Sequence, residues 1–180
     1  KEEILTDVTK DRACDTPHSN RQNGQGTGDM PEAWGNANAV DLLRDMLVQE
    51  RSDVPVTTES KTTLHLLAGL PSEWIGELGD VASVERTPTT LGTTVSVKAT
   101  RTSAMGMRVE FDPGKRGVDT LVHVPLADKT RLIEAKMDGK ALPANAIRVS
   151  ANGQQAIVAV GQLAHAVTFD FTFASIGAAR

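Results

Sequence analysis

The residues that could do chemistry in this chain are few and sit in recognisable settings. Asp29 and Glu32 lie three apart at the start of an apolar-periodic stretch. That spacing is what a helix N-terminus uses: Asp29 as the capping acceptor, and Glu32 reaching back to the Asp29 backbone N–H. Cys14 has His18 four residues on, a thiol with a base within reach, although a bystander thiol in a polar segment is the favoured reading. As the single cysteine it can form no intrachain disulfide. His65 lies between Leu64 and Leu66, and His123 between Val122 and Val124. Neither has a further His, Cys or carboxylate at ligand spacing, so no metal site is predicted, and each is expected as a strand histidine at a sheet edge or interface. Gly24, Gly26 and Gly28 lack the preceding strand and the G-x-G-x-x-G spacing of a dinucleotide fingerprint. No G-x-S-x-G, P-loop or Ser-His-Asp order occurs, and no cofactor is expected.

The elements that must position these residues follow from composition and periodicity. The 180 residues are 39% hydrophobic and 23% charged, enough for one ordinary domain or a domain with an appendage. A net charge of −4 offers no basic field to nucleic acid or an anionic membrane, and no apolar run approaches a bilayer span. Residues 1–30 read as a polar, irregular segment. Residues 31–50 predict a helix, with Ala33, Ala37, Val40, Leu43 and Leu47 as its apolar stripe and Pro55 blocking continuation. From about residue 56 the apolar period becomes two. Strands are expected at 63–67, 81–86, 93–100, 105–111, 120–126, 131–137, 146–151, 155–160 and 165–174. Asp138-Gly139 and Asn152-Gly153 are two-residue hairpin signals, and Asp112-Pro113-Gly114 is a turn. Val167, Phe169, Phe171 and Phe173 alternate with Thr168, Asp170 and Thr172, one face dry and one wet. The expected fold is therefore mainly β: an antiparallel β-sandwich over residues 56–180, preceded by a loop-plus-helix segment over 1–55.

Three segments then carry a family resemblance. They are Gly28-Asp-Met-Pro-Glu-Ala-Trp-Gly-Asn-Ala37 with the helix behind it, Leu64-His-Leu-Leu-Ala-Gly-Leu-Pro-Ser-Glu-Trp74, and Arg86-Thr-Pro-Thr-Thr-Leu-Gly-Thr-Thr-Val-Ser96. Over about residues 25–100 the chain resembles the six-hairpin glycosidases, particularly the α-L-rhamnosidase-like proteins. There an (α/α)6 barrel closes with a helix and is followed by a C-terminal β-sandwich. The resemblance implies a C-terminal part of such a bacterial glycoside hydrolase, with one or two barrel helices ahead of the sandwich. It implies acid/base cleavage of glycosidic bonds in oligo- or polysaccharides, with inversion, and a carbohydrate substrate. The remaining barrel, on another chain or elsewhere in the same protein, is the implied partner, and the chain alone is expected to be inactive.

Within that resemblance Glu32 gains a second role, as the catalytic acid or base at a helix mouth, beside its capping-box role. His18, Arg21 and Asn23 become candidate substrate-binding residues and Trp34 a ring to stack on a sugar face. A solvated loop is the commoner explanation of the polar run around His18. Trp74, beside Leu70 and Ile75, reads as a core or interface ring. The alternative is a non-catalytic structural or carbohydrate-binding sandwich module. Two Trp, four Phe and no Tyr equip it poorly for sugar stacking.

Overall fold

A computed structural model describes residues 33–52 and 61–177, with side chains from residue 39 onward. The chain forms two compact units, Lys1–Leu43 and Arg44–Arg180. Of the first, only the helix is described. That helix, α1 (Ala33–Leu47), ends three residues short of the predicted stretch. Residues Val48–Ser52 form strand β1 instead of a last helical turn. Val48 is fully buried in the sandwich core, and that burial overrides the helical period. None of the described helices is long and apolar enough to cross a membrane.

The second unit is a β-sandwich of two sheets. One has five strands in the order β1, β2 (Thr62–Leu66), β6 (Val118–Pro125), β10 (Gln155–Leu163) and β9 (Ile147–Val149). The other has six: β3 (Val81–Pro88), β4 (Thr94–Ser103), β5 (Gly106–Asp112), β11 (Val167–Ser175), β7 (Thr130–Met137) and β8 (Lys140–Ala141). All pairings are antiparallel except β2 with β6, which run parallel with His65 opposite Leu121. The predicted strands recur with ends shifted by a few residues; β1 and the two-residue β8 are additional.

The core is the set of inward positions that the period of two marks out. Val95, Val97, Val109, Phe111, Phe169 and Phe171 from one sheet meet Leu64, Leu66, Val122, Val124 and Val158 from the other, all but removed from solvent. The Phe169 and Phe171 rings lie 6.1 Å apart, nearly parallel. The outer face of the six-stranded sheet is wet, with cross-strand ion pairs Arg108–Asp170 at 2.8 Å and Lys98–Glu110 at 3.7 Å.

The turns sort by backbone geometry. Asp138 and Gly139 have φ of 49° and 78°, the left-handed pair of a two-residue hairpin joining β7 to β8. Asn152-Gly153 differs from the expected two-residue hairpin. It lies inside a longer loop closed by Ser150 N–H to Gln155 O at 2.9 Å, because the Asn152 side chain bonds the Ser150 hydroxyl and the Gln154 N–H. At Gly114, φ is 72° and a Cβ would collide with Thr93 Oγ1 and Thr94 O, so glycine is required.

Candidate functional site

Most of the residues singled out for chemistry lie outside the described region: Cys14, His18, Arg21, Asn23, Asp29 and Glu32. Trp34 falls in the first turn of α1, where the backbone alone is described. Among the described residues, no three His, Cys, Asp or Glu side chains gather as a metal site.

What the structure does assemble is a pair that spacing alone does not reveal. β2 and β6 present alternate residues outward, so His65, Leu121 and His123 share the outer face of the five-stranded sheet, flanked by Gln49 on β1 and Ile157 on β10. His65 Nδ1 and His123 Nε2 lie 3.0 Å apart, with ring centroids 5.1 Å apart. His123 Nδ1 lies 3.0 Å from Gln155 Oε1, and Gln155 Nε2 donates to the Ala68 carbonyl at 2.9 Å. His123 is only 6% exposed and His65 is half-buried. Burial, followed by the positive charge of Arg51, the neighbouring His123 and Arg148, pushes the His65 imidazole down to about 4. Burial also lowers His123, the Gln155 hydrogen bond opposing it and Arg51 and Arg148 adding to it. Both rings are therefore neutral at pH 7. The hint was the outward position of each histidine between two inward apolar residues. The parallel β2–β6 pairing that joins them is non-local and leaves no mark in the sequence.

Gln155 also lines a cleft of about 310 Å³ between the segment Ala68–Glu73 and the ends of β6 and β10. Glu73 and Asp128 are the carboxylates on this cleft, and both are solvent-exposed. An acid in glycosidic cleavage needs a carboxyl held in a water-poor pocket, which two exposed rim positions do not supply. Ser72–Ile75 is a short 3-10 helix without a side-chain cap at its start. Trp74 does not plug the core: it is 54% exposed, and Ile75 takes the buried place. A wider cleft of about 460 Å³ crosses the wet face of the other sheet, lined by Arg86, Lys98, Glu110 and Asp112 among others. Its only ring is Phe111, which belongs to the core.

At the start of the sandwich the end of α1 is clamped. Leu67 N–H donates to Leu47 O at 2.8 Å and Gly69 N–H to Met46 O at 3.0 Å. A Cβ on Gly69 would come within 2.9 Å of Met46 Cα, so the bare glycine sets the close approach. Leu67 adopts φ 61° to make this corner while fully buried. Arg44 donates to Pro88 O at 3.3 Å, and the Glu50 carboxylate accepts from the Thr90 backbone N–H at 3.0 Å and from its hydroxyl. The motif Leu64–Trp74 is thus a strand, a left-handed corner gripping the helix end, and a 3-10 turn.

No protein-family model and no curated protein matches this sequence. Among solved structures, the chain is similar to an α-L-rhamnosidase from Dictyoglumus thermophilum, at 12% identity and a TM-score of 0.39 over 72% of this chain. The similarity spans 13% of that protein's length.

Proposed function

We propose that this chain is the C-terminal part of a glycoside hydrolase acting on oligo- or polysaccharides, in which the sandwich braces a helical catalytic domain and performs no catalysis itself. The observation that carries this reading is the clamp on α1. The last turn of the helix is built into the sandwich through Leu47, Met46 and Gly69, while further along Val40 is 65% and Leu43 50% exposed. An apolar stripe exposed on the helix ahead of that clamp is what a terminal barrel helix offers to its neighbours. The motif resemblance supplies the chemistry, with Glu32 as the catalytic acid or base and His18, Arg21, Asn23 and Trp34 along the sugar site. The outer faces support a bracing role, because the described clefts lack stacked aromatic platforms and water-poor carboxylates.

Light scattering on the purified chain tests the reading. The expected result is self-association through the stripe, lost in Val40→Glu/Leu43→Glu with the sandwich unfolding transition unchanged. A monomeric chain whose state ignores these substitutions overturns it. The second reading, a sugar-binding module, draws on the exposed Trp74 indole. Quenching of Trp74 fluorescence by oligosaccharides, abolished in Trp74→Ala, would favour that module.

A further inference from the structure

We propose that His65, His123, Gln155 and the Ala68 carbonyl form a directed proton relay that acts as an acid-sensitive latch on the clamp around the end of α1. It accepts one proton intact and a second only by breaking between the rings.

The direction follows from donor and acceptor count. Gln155 Nε2 faces the Ala68 carbonyl, so the amide must donate there and its Oε1 must accept. Oε1 can accept only from an N–H on His123 Nδ1. A neutral His123 then has a bare Nε2, which accepts from an N–H on His65 Nδ1. The last lone pair, on His65 Nε2, meets no donor among the described residues. Each link therefore fixes the next, and both rings are held as the Nδ1–H tautomer.

A first proton from solvent adds to His65 Nε2. It breaks no bond and strengthens the His65-to-His123 link, since the donor is now charged. A second proton has only His123 Nε2 to take. It would set two N–H groups against each other across 3.0 Å, with both imidazoles positive. The charged side chains that share this outer face are Arg51 on β1, Arg148 on β9 and Asp119 on β6, which stands one row away beside Thr63. The two arginines oppose the second charge. A doubly charged pair must separate; Gln155 favours a charged His123, but burial and the two arginines outweigh it, so the ring moves to water and leaves its place against Gln155. Gln155 then loses its fixed orientation and Ala68 its tether. Ala68 lies between Leu67, held at φ 61°, and Gly69, pressed on Met46. Both donate to the end of α1, so loosening Ala68 loosens the clamp.

Nitrogen-15 NMR of the full chain tests the latch. At pH 7 both imidazoles should show the Nδ1–H tautomer. On acidification the first proton should appear at His65 Nε2 while the Leu67 and Gly69 amides stay protected from exchange. Protection should fall only with the second proton. Gln155→Glu should move the His123 midpoint up by about one pH unit, because a carboxylate holds the imidazolium. It should also expose the Gly69 amide at pH 7, since a carboxylate cannot donate to Ala68. An Nε2–H tautomer at either ring overturns the proposal. So does amide protection lost with the first proton, or unchanged once both rings are charged.

Discussion

Two glycines with the same φ separate two kinds of constraint. Gly114 and Gly153 both sit at 72°. At Gly114 a Cβ meets Thr93 and a backbone carbonyl, whereas at Gly153 nothing lies within 4 Å. Gly153→Ala should therefore cost only the left-handed penalty, about 1 kcal/mol, and Gly114→Ala about 3 kcal/mol or more, read by urea denaturation. The histidine pair gives a pH prediction at the same scale. His65 binds protons less well folded, near 4, than unfolded, near 6.5. Its contribution is thus fully present above pH 6.5 and is lost as pH falls from there towards 4. The slope per imidazole cannot exceed about 1.4 kcal/mol per pH unit, and solvent around the half-exposed His65 makes it smaller. In His65→Gln the decline through this window should be shallower. An equally steep decline would place the acid sensitivity elsewhere.

At the scale of elements, the strand carrying three phenylalanines is the centre of the core. Phe169 and Phe171 are nearly free of solvent and their rings lie nearly parallel. Phe171→Ala should destabilise the sandwich by about 3–5 kcal/mol, seen as a lower urea midpoint at unchanged slope. Most strands were legible because one wet face imposes strict alternation, as Val167–Phe173 shows. Asp138-Gly139 was legible because its turn needs two left-handed residues. Three features were not. β1 carries the end of a helical pattern, and only burial of Val48 against distant strands makes it a strand. The parallel β2–β6 pair joins segments more than fifty residues apart, so the histidine pair that depends on it was hidden too. Asn152-Gly153 carries the hairpin dipeptide, but the bonds of the Asn152 side chain select a longer loop.

For the molecule as a whole, the sandwich holds the end of a helix, and the proposed reaction falls to other residues. The fold class was readable from the sequence; the candidates for chemistry, Glu32 first among them, lie outside the described residues. The described clefts carry exposed acids at the rim and no stacking platform, which fits bracing. The most direct measurement is hydrolysis of a panel of 4-nitrophenyl glycosides, made with the purified 180-residue chain and with a complete gene product that contains it. The account predicts no turnover by the chain alone, and turnover by the complete product that collapses in Glu32→Gln. Turnover by the 180 residues alone, or a complete product that cleaves no glycoside, would contradict it.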